Sequence, residues 1–409
     1  MLAALENGVK GGKWFSLMDK VYAPRTLRLA WERVQRNRGA AGLDEVSVKR
    51  FAADAERYLS ELHEQLQTGR YTVDGVCRVY IPKTGGGQRP LGIPTVKDRV
   101  VQTALKRVLE PIFEREFRPE SFGFRPGRSA KAALREVDGL LKAGYTYVVD
   151  ADLKSYFDTI PHERLHALVA ARISDGAVLA LVEQYLRQQV VEGAKHWTPT
   201  QGTPQGAVLS PLLANLYLHP MDETVGERYR LVRYADDFVI LCQSRAEAEA
   251  ALQELQAWVT AHGLTLHPEK THLGDSRQPG QGFEFLGYRF EGGRRFVRHK
   301  SRQKMRTRIR ELTRRKRGGS LAQIVSELNP VLRGWFGYFR HAHRTTFPDL
   351  DGFVRRRLRA LLRKRAKRPG MGHTHADHRR WPNRYFAKMG LFTLVTAHRS
   401  ACQSRCGNT

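Results

Sequence analysis

The stretch Arg233-Tyr234-Ala235-Asp236-Asp237-Phe238-Val239-Ile240-Leu241 carries two adjacent carboxylates between short apolar runs, Leu231-Val232 before and Phe238 to Leu241 after. Both flanks have strand character, so Ala235-Asp236-Asp237 is expected at the tip of a β-hairpin. At a turn two neighbouring side chains can both leave the end of the hairpin, whereas inside a strand they face opposite ways. Like charges this close repel unless a cation neutralises them. A bare Asp-Asp pair is more often a polar turn, since Asp is a common turn residue. What surrounds the pair decides whether it is a Mg²⁺ site for phosphoryl transfer.

A second acidic strand end lies upstream. Tyr145-Thr146-Tyr147-Val148-Val149-Asp150-Ala151-Asp152-Leu153 reads as a buried strand finishing in carboxylates, which are poor structural choices in a core. Asp150 and Asp152 share one strand face, and either could be a ligand on geometry alone. Asp158 is expected to cap the helix that starts near Ile160. Gly202-Thr203-Pro204-Gln205-Gly206 is a tight loop displaying Gln205 on a rigid turn, and a helix over 212–221 should follow it. Val76-Cys77-Arg78-Val79-Tyr80-Ile81-Pro82 alternates like a strand, and Lys83-Thr84-Gly85-Gly86-Gly87-Gln88-Arg89 forms a Gly-rich tip with two cations. Such a hairpin could close over a triphosphate, Arg89 as a fork and Lys83 as a point charge; no Walker pattern is present.

Charge sorts along the chain. Of the net +28, residues 294–409 supply 31 Lys+Arg against 5 Asp+Glu, leaving a body close to neutral. A basic third of this kind is the footprint of a nucleic-acid binder, because neutralised phosphates release counterions. An apolar fraction of 41% in 409 residues supports two or three domains. No apolar run reaches membrane-spanning length, and the first residues lack a secretory pattern. Cys77, Cys242, Cys402 and Cys406 are scattered, which fits a reducing cytoplasm.

Apolar spacing of three and four predicts helices over 22–34, 48–66 and 96–118, and a further helix after Ser129, which should cap it. The loop Ser121-Phe122-Gly123-Phe124-Arg125-Pro126-Gly127-Arg128-Ser129 mixes aromatics with cations, a pattern suited to bases and phosphates. Residues 163–192 and 245–262 read as helices, while 263–271 and 283–290 read as single strands. In the basic third, helices are expected over 302–317, 321–339 and 353–368, with Leu328, Leu332, Trp335 and Phe336 in a bundle core.

Taken in order, these motifs resemble those of reverse transcriptases, and specifically the group II intron-encoded reverse transcriptase/maturase family, from about residue 20 to about 395. Ile81-Pro82-Lys83 with Arg89-Pro90-Leu91-Gly92-Ile93-Pro94 looks like the fingers motif, and Ser121 to Ser129 like the next block. Asp150-Ala151-Asp152-Leu153-Lys154-Ser155-Tyr156-Phe157-Asp158 looks like the first palm motif, Pro204-Gln205-Gly206 like the template–nucleotide block, and Tyr234-Ala235-Asp236-Asp237 like the second palm signature. Lys270 and Phe285-Leu286-Gly287 match the last palm blocks. Leu328 through Phe339 resembles the maturase thumb, or X domain, and Trp381-Pro382-Asn383-Arg384-Tyr385-Phe386 a short DNA-binding region.

The resemblance implies an α+β right-hand polymerase, with fingers and an antiparallel palm sheet flanked by helices, then an α-helical thumb. The divisions expected are 1–75 (N-terminal extension and start of the fingers), 76–293 (fingers and palm), 294–370 (thumb) and 371–409 (basic DNA-binding region, with no endonuclease domain expected). It implies RNA-directed DNA synthesis with Asp152, Asp236 and Asp237 as the catalytic acids. Asp152, Leu153, Asp236 and Asp237 would hold two Mg²⁺ ions, Mn²⁺ being an alternative, and His373, His375, His378, Cys402 and Cys406 do not follow a zinc pattern. Lys83, Arg89, Phe157, Gln205 and Lys270 would meet the incoming dNTP, Phe157 as a ribose-sensing steric gate. Nucleic-acid contacts are expected at Arg125, Arg128, Arg302, Lys304, Arg306, Arg333, Arg355 and Arg356. The partners implied are template or intron RNA, a DNA primer or target, and dNTPs, without a membrane; nothing in the sequence fixes the oligomeric state. A host-adopted reverse transcriptase in defence or DNA repair, or a splicing cofactor with a vestigial polymerase, stays open as an alternative.

Overall fold

The computed structural model describes residues 12–82 and 87–406 and divides into two compact units, 1–273 and 274–409. In the first unit, α1 (Met18–Tyr22), α2 (Pro24–Asn37), α3 (Val48–Ala53) and α4 (Ala55–Gln67) lead to a hairpin of β1 (Val76–Pro82) and β2 (Gln88–Ile93). Then come α5 (Val96–Glu114), α6 (Ala130–Lys142), β3 (Tyr147–Asp152), α7 (Tyr156–Thr159), α8 (His162–Ala170) and α9 (Gly176–Leu186). They are followed by β4 (Val190–Glu192), β5 (Lys195–Trp197), α10 (Ser210–Arg228), β6 (Arg230–Tyr234), β7 (Asp237–Cys242) and α11 (Arg245–Ala261).

Two sheets organise this unit. The palm sheet runs β6-β7-β3 and is closed by β8 (His272–Asp275), where the chain passes into the second unit; the fingers sheet runs β2-β1-β4-β5. Valines and isoleucines of β3 and β7 are fully buried, as expected of strands covered on both faces. Helix α5 is the spine: Val100, Val101, Ala104, Leu105, Val108 and Leu109 are all inaccessible. It begins at Thr95, whose hydroxyl accepts from the Asp98 amide, and its Gln102 accepts from the Val208 and Leu209 amides, satisfying donors that α10 would leave orphaned. Asp175 takes four amides: it caps α9 and accepts from Leu17 N and Met18 N (2.7 and 2.9 Å), tying the amino-terminal end of the described chain to the palm side.

Several expectations change. Residues 187–192 are not helical: α9 ends at Leu186, and Val190–Glu192 pairs in parallel with β1. Residues 263–271 make one bridge, Leu266 to Leu153, before the strand at His272–Asp275. The 283–290 strand is a hairpin, β9 (Phe283–Phe285) and β10 (Tyr288–Glu291), because Leu286 and Gly287 both take positive φ. Alternation alone cannot reveal a tight turn that keeps the period of two. Asp158 does not cap this helix: α8 starts at His162, its N-cap is Pro161 and no side chain caps it, while the Asp158 carboxylate accepts from Gln205 Nε2 at 3.3 Å.

In the second unit β9, β10 and β11 (Arg294–Val297) form a small sheet, followed by α12 (His299–Leu312), α13 (Leu321–Phe339) and α14 (Thr346–Arg365). The first of these helices begins and ends earlier than 302–317. Leu328 and Leu332 are buried, and Trp335 and Phe336 join Phe339 and Phe347 in an aromatic cluster. The remaining helices α15 (His375–Arg380), α16 (Asn383–Lys388) and α17 (Leu394–Cys406) pack with α14 in one body. Arg359 donates to Trp381 O, Arg363 pairs with Asp377, and Asp351 accepts from the Leu394 and Val395 amides. Among the described residues no helix is long and apolar enough to cross a membrane.

Candidate active site

The acids meet because of strand register. Strand β3 pairs antiparallel with β7, placing Asp152 opposite Asp237, and β6 pairs Tyr234 with Asp237, leaving Ala235 and Asp236 as the turn. Ala235 holds φ of 62°, which bends the hairpin sharply enough to project Asp236. Asp150 stands opposite Val239, one side-chain step back from the tip that carries Asp152. Leu153 has a buried side chain, so only its main-chain carbonyl could serve a cation.

Burial pushes the Asp236 carboxyl up, and the Asp152 carboxylate adds to that push, while Arg89 and Lys270 pull it back. Arg89 therefore lies within electrostatic reach of the acids, on β2 opposite Ile81. Lys83 falls outside the described residues. The Lys270 ammonium is bonded to the Asp152 carboxylate. Among the described residues no group of three or more His, Cys, Asp or Glu side chains stands in metal-holding geometry. The donor chemistry nonetheless suits Mg²⁺: hard carboxylate oxygens are carried by two paired strands and the turn between them, and an ammonium already stands as the counter-charge to one of them.

The Pro204-Gln205-Gly206 turn is sewn to the fingers hairpin. The Gln205 carbonyl accepts from the Gly92 amide at 2.7 Å, and a Cβ on Gly206, at φ of 107°, would stand 2.7 Å from the Gly92 oxygen. Gln205 itself is half-buried and reaches Asp158. Phe157 is half-buried on α7, its ring edge-on to Tyr156 at 5.5 Å, and its carbonyl accepts from Thr203 N at 2.6 Å. Thus Phe157, Gln205 and the fingers hairpin are linked through one short loop.

The sequence reading missed what holds the acids in place. Arg233 is fully buried and makes a two-point ion pair with Asp222. It also donates to Asn215 Oδ1 (3.0 Å) and to the Ala235 carbonyl (2.9 Å), gripping the turn from beneath. Asn215 Nδ2 donates to the Gly123 carbonyl at 2.8 Å, and Phe122 N donates to the Arg233 carbonyl at 2.8 Å. A Cβ on Gly123 would lie 2.2 Å from the Ala235 nitrogen, so only glycine lets this loop lie against the hairpin. The signal available was an arginine inside the apolar strand Leu231-Val232-Arg233, with Asn215 and Asp222 on a helix whose neighbours are mostly apolar.

Arg125 is a correction. Its side chain is buried: it pairs with Glu114 and donates to the Arg118 and Ser121 carbonyls, so it braces its own loop and has no face for a phosphate. Arg128 is half-buried, donates to Pro119 O at 2.6 Å and lies over the Phe122 ring. In the second unit Arg302, Lys304, Arg333 and Arg356 are exposed and Arg355 half-buried. Arg306 is partly engaged, with both Asp349 oxygens within 2.9 Å.

An antiparallel palm with acids at a strand end and a hairpin turn, faced by a cationic hairpin, defines a nucleotidyl-transfer polymerase of the right-hand class. Residues 81–290 match the family model described as reverse transcriptase (RNA-dependent DNA polymerase), and residues 302–382 match the maturase-specific domain of group II introns. The chain belongs to the reverse transcriptase family and carries a group II intron maturase domain. Protein YkfC of Escherichia coli K12 is 34% identical over 291 residues, 61% of this chain and 75% of that protein. The group II intron-encoded protein LtrA of Lactococcus lactis is 35% identical over 205 residues, 49% of this chain but only 34% of LtrA. Among solved structures a partial Cas6-RT-Cas1–Cas2 complex is similar at 24% identity and a TM-score of 0.38, covering 63% of this chain and 43% of that one.

Proposed function

We propose that the chain extends a DNA primer on an RNA template and that its second unit binds intron RNA to support splicing and mobility. The observation that carries the polymerase reading is the register that sets Asp152 against Asp237 beside the turn residue Asp236, with Arg89 and Lys270 as the neighbouring cations. Asp152 and Asp236 would hold Mg²⁺, with Asp237 orienting the site and the Leu153 carbonyl as a further oxygen. Bound there, Mg²⁺ supplies charge neutralisation for an attacking 3′-oxygen and for a departing pyrophosphate, in a reaction whose catalysis is mostly positioning and electrostatics. Arg89, with Lys83, would grip the triphosphate, and Gln205 would seat the base and template strand. Phe157 would close the ribose side. Lys270, which pairs with Asp152, would face the pyrophosphate. The exposed arginines and lysines of α12, α13 and α14 would meet RNA phosphates, and residues 371–409 the target DNA.

Primer extension on an RNA template tests this. Asp236→Ala should lose about 10²- to 10³-fold in cDNA synthesis, the scale of a transition-state charge partner. Full activity in that variant sinks the mechanism. Retained splicing of a group II intron by the same variant is the expected sign that RNA binding and polymerisation are separable.

A further inference from the structure

Phe124 is a large apolar side chain, 48% exposed, on a residue whose backbone holds φ of 60°. Non-glycine residues avoid that region, and those that occupy it cluster where the surroundings over-determine the backbone for a functional reason. Here both neighbours are pinned. Gly123 is held by Asn215 and lies against Ala235, while the Arg125 guanidinium is locked to Glu114 and to the carbonyls of Arg118 and Ser121. The strained position therefore gains no burial of its own; what it achieves is to present a ring beside the acidic hairpin.

That ring stands edge-on to Phe157, centroids 6.5 Å apart with planes at 77°, and Phe157 stands edge-on to Tyr156. Tyr156 is buried and its hydroxyl donates to the Ala214 carbonyl at 2.6 Å. The three rings form a series anchored at one end in α10 and open at the other. Phe157 is flanked by the Tyr156 ring on one side and the Phe124 ring on the other.

We propose that Phe124 is a positioning residue for sugar selection, propping the Phe157 ring so that its edge stays against the 2′ position of an incoming nucleotide. The proposal rests on the reading of Phe157 as the ribose gate. Single-nucleotide incorporation of dATP and of ATP on a primed RNA template, opposite uridine, gives kcat/KM for each sugar. In Phe124→Ala the ATP:dATP ratio of kcat/KM should rise about 3- to 10-fold, the worth of one edge-on aromatic pair, carried by a lower KM for ATP. Phe124→Tyr should keep the wild-type ratio. Phe157→Val should raise the ratio further, and adding Phe124→Ala to it should change nothing more. An equal fall for both nucleotides in Phe124→Ala, or an additive rise in the double variant, overturns the proposal. A ratio that moves in Phe157→Val but not in Phe124→Ala overturns it while leaving the gate intact. No change in Phe157→Val removes the gate itself and the proposal with it. Should Phe124→Ala fail to fold, Phe124→Gly, which relaxes the backbone, is judged by the same ratios.

Discussion

At the scale of single residues, the buried charges matter most. Arg233 and Asp222 are both inaccessible, so removing one partner leaves the other unpaired in a medium that cannot solvate it. Arg233→Met should cost about 3–5 kcal/mol in urea unfolding, and double replacement of Arg233 and Asp222 by apolar residues should recover a good part of that. Asp98 behaves differently. It is inaccessible and accepts from the Tyr71 hydroxyl, the Asp74 amide and Gln188 Nε2. Burial pushes its carboxyl up from 3.8 to about 7, with the Tyr71 hydrogen bond pulling the other way and Asp74 adding to the rise. The folded chain thus binds this proton more tightly than the unfolded one. The associated stability is complete below about pH 4 and is lost as pH rises through about 7, on the order of 4 kcal/mol across that window. Asp98→Asn should flatten the unfolding free energy between pH 4 and 8, measured by denaturant titration at each pH; an unchanged slope counts against the assignment.

At the scale of elements, the candidate active site is a hairpin resting on a loop. The turn at Ala235 and Asp236 has no freedom to drift, because Arg233 holds the Ala235 carbonyl from below and Gly123 touches its nitrogen from the side. Gly123→Ala inserts a methyl 2.2 Å from that nitrogen, and with backbone on both sides neither can yield without moving Asp236. A misplacement of about 1 Å at a reacting group can cost on the order of 10²-fold in rate. Primer extension by Gly123→Ala should fall by that factor while its melting temperature drops only modestly; wild-type extension would show that the loop does not set the hairpin.

At the scale of the molecule, charge and chemistry are divided between the two units. Residues 294–409 carry 31 of the 69 Lys+Arg but 5 of the 41 Asp+Glu, so the salt dependence of RNA binding should reside there. Replacing the exposed Arg302, Lys304 and Arg356 together by Ala should reduce the slope of log K against log salt by about 2–3, at roughly 0.7–0.9 per phosphate contact. Fluorescence anisotropy of an RNA probe across a salt series measures it. The same replacement in Arg125 should leave the slope unchanged and lower stability instead, since that guanidinium is spent on Glu114 and the loop carbonyls.

What the sequence determined by itself is whatever depends on local period and residue order: the acidic hairpin at 236–237, the strand ending at Asp152, the helices over 96–114 and 321–339, and the basic third. Those follow from alternation, spacing and turn chemistry, all of which act over a few residues. The register that sets Asp152 against Asp237 and Asp150 against Val239 belongs to tertiary structure alone, because it is a contact between segments some ninety residues apart and nothing local encodes it. Tertiary structure also turns the Arg125 guanidinium inward onto Glu114 and sets Arg233, Asn215 and Gly123 around the hairpin. An arginine reads the same in sequence whether its guanidinium faces phosphate or a buried carboxylate; only the packing around it settles which partner desolvation allows.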